Sequence, residues 1–268
     1  MKNKNLSSAL RNNLLRRKES QSKYNMDNNI EKKEKLYEGK AKILFTTDNN
    51  DILIQFFKDD ATAFNNLKKD VIERKGILNN YICEHIMLAI KKNNIPTHFI
   101  KRINDREQLV RRVSIIPLEV IVRNIAAGSM AKRLGIEEGR ELIAPVFEIC
   151  YKNDELQDPL INEDHAVNVL GLLKTSELQK IKEYALLIND ILKEIFISAN
   201  IKLIDFKIEF GFDEKNEIIL ADEISPDSCR LWEVGTHNKL DKDRFRRDMG
   251  GLVEAYSEVA KRLGIKFN

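Results

Sequence analysis

The run IKLIDFKIEFGF, residues 201–212, alternates apolar with polar or charged side chains along most of its length, and EIILAD, residues 217–222, follows across the short turn DEKN. Period-two alternation marks a β-strand whose two faces meet different surroundings. The two runs read as an antiparallel hairpin. Ile204, Phe206, Ile208 and Phe210 take its core face and Asp205, Lys207 and Glu209 the other. So many charges on one face of an otherwise apolar strand need a charged counterpart, which is either an internal ion-pair network or a ligand. Carboxylates at Glu209 and Asp222 suit Mg2+, which takes a few carboxylate oxygens and completes its shell with phosphate oxygens and water. Lys207 would contact the same phosphates. Directly beyond, ADEISPDSCRLW gathers Asp222, Glu223, Asp227 and Arg230.

The rest of the chain supplies what such a hairpin packs against. KLYEGKAKILFTT (35–47) reads as two strands around Gly39 and ILIQFF (52–57) as a third, an antiparallel meander. Residues 78, 82, 86, 89 and 90 are apolar at helical spacing, and Asn93, Asn94 and Pro96 end that helix. A second helix opens at a capping box of Ser176 and Gln179 and lines one face with Leu178, Ile181, Ala185, Ile188, Leu192 and Ile195. A third carries Phe245, Met249, Leu252, Tyr256, Val259 and Leu263 and stops at Gly264. Strand runs with separated helices, rather than regular βαβ units, give an α+β class of antiparallel sheets with packed helices. The length allows two packed lobes, 35–115 and 116–268, behind an extension over 1–34.

Composition removes several functions. No apolar run approaches the ~18 residues of a membrane span. Residues 1–18 hold six Lys or Arg and no acid, while the other 39 basic residues nearly balance 42 acidic ones. That tail has the look of an organellar transit peptide or is a dispensable extension. A nucleic-acid binder would rely on the tail and lose affinity steeply with salt, but the near-neutral body and the lack of an interleaved aromatic platform argue against it. Cys83, Cys150 and Cys229 are widely spaced and odd in number, which fits a reducing cytoplasm rather than a disulfide framework or a CxxC metal site. Cys229 reads as a packed thiol rather than a nucleophile, because no histidine lies near it in sequence.

Two further stretches carry phosphate chemistry. In YEGKAK, Gly39 permits close backbone approach, and Lys40 and Lys42 lie two apart on one side as point charges. The alternative is a hairpin with solvated lysines, and neither a Walker loop nor a dinucleotide fingerprint occurs. In PLEVIVRNIAAGS, alternation puts Glu119, Ile121 and Arg123 on one side, and Gly128 and Ser129 open a helix. That makes an anion site, unless Ser129 is only an N-cap and Arg123 only a surface ion pair. Asp158, in KNDELQDP, is either a further acidic ligand or a turn aspartate.

The runs PLEVIVRNIAAGS and LIDFKIEFG, together with ADEISPDSCRLW, DKDRFR and the upstream YEGKAK, closely resemble the SAICAR synthetase family of purine biosynthesis from Lys35 to the C-terminus. The resemblance implies a two-lobed fold related to ATP-grasp enzymes and an ATP-dependent ligase joining L-aspartate to carboxyaminoimidazole ribotide (CAIR). Products are SAICAR, ADP and phosphate. It implies that Lys40 and Lys42 hold ATP phosphates and that Glu209 and Asp222 serve ATP and Mg2+, with Glu119 in the nucleotide set. Arg123, Ser129 and Arg230 would hold the ribotide phosphate, with Asp158 and Asp227 on the ribotide side. Lys207 and Asp227 form the catalytic set, Asp227 or Asp205 taking the proton of the aspartate amine. A cytoplasmic homo-oligomer acting only on small molecules is expected. A kinase-like phosphotransferase is the rival, separable because its ADP release would need ribotide but not aspartate. One departure is Asn65-Asn66 in DDATAFNN, where many relatives have Asn-Gly.

Overall fold

The computed structural model describes residues 30–63 and 67–267, so the basic tail and the Asn65-Asn66 loop lie outside the described residues. Strands β1 (Lys32–Glu38), β2 (Lys42–Thr47) and β3 (Ile52–Phe57) form the expected meander, β1 starting slightly ahead of residue 35. A small hairpin of β4 (Asp60–Ala63) and β5 (Lys68–Val71) leads into helix α1 (Lys75–Lys92). Strands β6 (Phe99–Arg102) and β7 (Glu107–Arg111) complete a five-stranded sheet in the order β1-β2-β3-β7-β6. Leu78, Ile82, Ile86 and Ile90 of α1 are buried, and the helix stops where Asn94 turns left-handed (φ 67°).

The second sheet is built around one long strand. It contains β8 (Ser114–Ile115), β9 (Leu118–Ile125), β10 (Glu141–Tyr151), β11 (Leu160–Ile161), β12 (Ile201–Phe212), β13 (Ile218–Ala221) and β14 (Cys229–Glu233), with helix α2 (Gly128–Leu134) between β9 and β10. Along one edge β12 pairs first with β9 and then with β8; along the other, first with β14 and then with β13. Each of these ladders is antiparallel, in keeping with the α+β class. Because β13 and β14 share one edge of β12, the segment 222–228 leaves beside Glu209 and returns beside Phe206.

Helix α3 (Thr175–Ser198) packs over β12, β9 and β10. Its buried stripe runs Leu178, Ile181, Ala185, Ile188 and Leu192, closing on Phe196 in place of the expected Ile195. Fully burying one such aliphatic side chain stabilises by roughly 1.5–3 kcal/mol. The cap also differs: Glu177 accepts from the backbone N–H of Lys174 at 2.7 Å, two residues before the expected Ser176–Gln179 box.

Two expectations fail for backbone reasons. A bulge between Leu203 and Asp205 in the β12–β14 ladder sends Leu203 into the main core. Ile204 goes instead to a small cluster with Ile125, Ala127 and Trp232. The third helix is in fact two, α4 (Asp243–Arg246) and α5 (Leu252–Arg262), because Gly250 and Gly251 both adopt left-handed φ (67° and 63°). Met249 is consequently exposed rather than part of a stripe, whereas Leu252, Tyr256 and Val259 remain buried.

Candidate active site

The face of β12 opposite the core carries Asp205, Lys207 and Glu209 in a row. Register places Asp205 beside both Arg123 of β9 and Arg230 of β14, and Glu209 beside Ala221, the residue before Asp222. At ~3.3 Å per residue the row spans roughly 13 Å. It has two chemically different ends.

At the Asp205 end, guanidinium groups converge on buried acids. Arg123 donates to Asp205 at 2.8 Å, to Glu148 at 2.7 Å and to the Ser129 hydroxyl at 3.3 Å. Arg230 donates through Nη1 to both Asp205 oxygens, at 2.8 and 3.1 Å, and through Nε to Asp243 at 3.0 Å. Burial works against charge on Arg230, but Asp205 and Asp243 hold it protonated well above its ordinary range. Burial likewise opposes charge on Asp243, while Arg230 and Arg246 hold its carboxyl below the usual range. Gly128 completes the arrangement: its φ is +54°, and a Cβ there would lie 2.4 Å from Nη2 of Arg230. A side chain there would push the Arg230 guanidinium out of its place against the start of α2. Ser129 is not the cap of α2, since Ala127 takes that position; its hydroxyl faces Arg123.

At the Glu209 end, ammonium groups meet carboxylates. Asp222 adopts a left-handed conformation (φ 59°) as β13 ends. Lys42 forms a close ion pair with Asp222 and lies 3.3 Å from Glu223. Lys152 pairs with Glu209 at 2.6 Å; burial pulls its pKa down, yet the Glu209 carboxylate raises it above the ordinary value. Lys40 reaches Asp154 at 3.2 Å, and Lys207 pairs with Glu119 midway along the row. Gly39 has no left-handed conformation; it closes the β1–β2 turn by donating to the Lys42 carbonyl at 2.8 Å.

Among the described residues no three His, Cys, Asp or Glu side chains gather as an all-protein metal site. Mg2+ does not need one, since it binds through one or two carboxylates and completes its shell with phosphate oxygens and water. Asp222 faces the Lys42 ammonium and Glu209 the Lys152 ammonium, so both expected carboxylates already lie against a cation and their chemistry fits.

The family model described as SAICAR synthetase matches residues 35–263. The chain belongs to the SAICAR synthetase family. It is 56% identical over 239 residues to a phosphoribosylaminoimidazole-succinocarboxamide synthase of Bartonella henselae, covering 88% of this chain and 94% of that protein. The crystal structure of such a synthase from Ehrlichia chaffeensis superposes with a TM-score of 0.85 at 51% identity, over 88% of this chain and all of that one. A SAICAR synthetase in complex with ADP superposes with a TM-score of 0.83 at 48% identity, over 87% of this chain and 99% of that one.

Within this SAICAR synthetase fold, two expected residues stand apart from the row. The Asp227 side chain is only 4% exposed and accepts from Lys75 and from the Tyr256 hydroxyl, each at 2.6 Å. Burial would raise its pKa, but Lys242, Lys75 and Tyr256 lower it far below the carboxylate range. In this arrangement the carboxylate ties α1 to α5 and is a poor proton acceptor. Asp205, the other expected base, is committed to two arginines. Asp158 accepts from the Asn153 N–H at 2.8 Å in the loop after β10 and, among the described residues, forms no hydrogen bond with Arg123 or Arg230. Sequence reasoning missed Lys152, although it sits in the same KNDELQDP run as Asp158. It also missed Asp243 and Arg246, which pair at 2.6 Å; their only signal was DKDRFR.

Proposed function

We infer that the row on β12 is the active site of an ATP-dependent ligase that joins L-aspartate to the carboxylate of CAIR, giving SAICAR, ADP and phosphate in purine biosynthesis. The observation that carries the reaction is the 56% identity, over nearly the whole folded chain, to a synthase named for it. ADP in a 48% identical relative supports ATP as the phosphoryl donor.

The chemistry needs both ends of the row. A free carboxylate does not accept an amine, because oxide would have to leave. Transfer of the γ-phosphoryl group to a CAIR carboxylate oxygen releases ADP and makes an acyl phosphate. The aspartate amine then attacks the acyl carbon, the C–N bond forms, phosphate departs and the amine proton is released. Bringing a triphosphate to a carboxylate sets anion against anion, and prearranged cations offset that repulsion.

Lys40, Lys42 and Lys207 are the residues placed to take the nucleotide phosphates. Each now faces a carboxylate, Asp154, Asp222 and Glu119 respectively, and would exchange that partner for a phosphate oxygen when the nucleotide binds. Asp222 and Glu209 would hold Mg2+, which when bound neutralises developing phosphate charge. Arg123 and Arg230, with Ser129 and the Gly128 backbone, take the ribotide phosphate, for which forked donors are the best match. Leaving out ATP, ribotide or L-aspartate in turn tests the reading. Succinocarboxamide product should require all three, and ribotide-dependent ADP release without aspartate would favour the phosphotransferase instead.

A further inference from the structure

We propose that Asp241 is a positioning residue for ribotide binding, acting through Arg230: its carboxylate fastens the strand carrying Arg230 to the turn carrying Asp243. This rests on reading the arginine end of β12 as the ribotide phosphate site.

Asp241 lies between β14 and α4 and is fully buried. One oxygen accepts from the Leu231 N–H at 2.8 Å and the other from the Asp243 N–H at 2.7 Å. Leu231 directly follows Arg230, and Asp243 is the acid that receives Arg230 Nε at 3.0 Å. A single carboxylate therefore fixes the backbone of the guanidinium and the backbone of one of its two acid partners. The Leu240 N–H bonds the Leu231 carbonyl at 2.8 Å and closes the same junction.

Asp241 forms no ion pair among the described residues, and its neighbour Asp243 is a second buried acid. Burying a carboxylate without a cation is costly, so charge pairing does not account for this side chain. Geometry does. Two N–H donors on different segments converge on one side chain, and a carboxyl group, ionised or protonated, offers each an oxygen. An asparagine amide satisfies one and turns its NH2 against the other. Small errors in guanidinium placement matter because a bidentate grip on phosphate tolerates little misalignment.

The test is Asp241→Asn in the full chain, with kinetics in each substrate and melting shifts induced separately by ribotide and by Mg-ATP. Losing one oriented hydrogen bond should raise the ribotide KM about tenfold, leaving kcat at saturation and the ATP KM within about twofold. The ribotide-induced melting shift should shrink while the Mg-ATP shift persists. An unchanged ribotide KM, a fall in kcat alone, or equal loss of both shifts would overturn the proposal. If Asp241→Asn does not fold, Asp241→Ser, which leaves room for a water as second acceptor, takes its place with the same readouts. If neither folds, Asp241 is a folding residue and the proposal fails. A wild-type protein showing no ribotide-induced shift would instead count against the proposed function.

Discussion

The two ends of the charged face of β12 handle charge in opposite ways. At the Asp205 end the cations are forked guanidiniums against buried acids, and Arg123 is 3% exposed and Asp205 4%. At the Glu209 end the cations are ammonium groups, and the Lys207 and Lys152 side chains are 41% and 40% exposed. A guanidinium is a rigid planar fork that fits one anion in one orientation, whereas an ammonium on a flexible stem follows a charge that moves. The phosphate of the ribotide does not change during the reaction; the γ-phosphoryl group does. The rigid end suits an anchor and the compliant end suits chemistry.

That contrast gives predictions, taken here from the largest effect to the smallest. The buried carboxylate that stands off the row sets the scale. Asp227→Asn removes the ion pair of the buried Lys75 and should cost about 3–5 kcal/mol of stability, measured by urea denaturation. If Asp227 were the base instead, turnover of the folded fraction would collapse. At the compliant end, Asp222→Asn should lower kcat roughly 10²–10³-fold, the scale for removing an electrostatic stabiliser, with the melting temperature preserved. Unchanged magnesium-dependent turnover would contradict that role. At the rigid end, Arg230→Lys keeps the charge but loses the fork. The loss of about 1.5–3 kcal/mol should appear as a ribotide KM raised roughly 10–100-fold, with the ATP KM little changed.

The most gradual effect, small over any one pH unit, is a pH dependence near the rigid end. Burial, reinforced by Asp243, pushes the Asp241 carboxyl up to about 7, against an ordinary 3.8. Between those values the folded protein holds a proton that the unfolded chain has released. The group's contribution to stability is therefore full at low pH and is lost as pH rises through about 7, with a slope of at most ~1.4 kcal/mol per pH unit. Stability measured from pH 5 to 7.5 should carry this slope in the wild type and lose it in Asp241→Asn.

What was legible in the sequence follows from locality. Strand alternation and helix stripes are local patterns, so the meander, α1, α3 and the hairpin could be read directly. So could the row Asp205, Lys207, Glu209, because period two alone puts those side chains together. The Gly250-Gly251 pair that splits the last helix is a local turn signal that the apolar stripe masked, whereas the bulge that diverts Ile204 depends on a partner strand far along the chain. The same holds within the site. Lys42 and Asp222 were each legible, but their contact joins strands of two different sheets. The inward turn of Asp227 to Lys75 and Tyr256 was not legible either, because both partners lie far from it in sequence.

The central claim is that one strand face separates anchoring from chemistry, and crossed binding tests it most directly: the affinities of Arg230→Lys and Asp222→Asn for ribotide and for Mg-ATP, measured by calorimetry. The division of labour predicts that Arg230→Lys loses ribotide and keeps Mg-ATP, while Asp222→Asn does the reverse. Equal weakening of both ligands in both variants would contradict it.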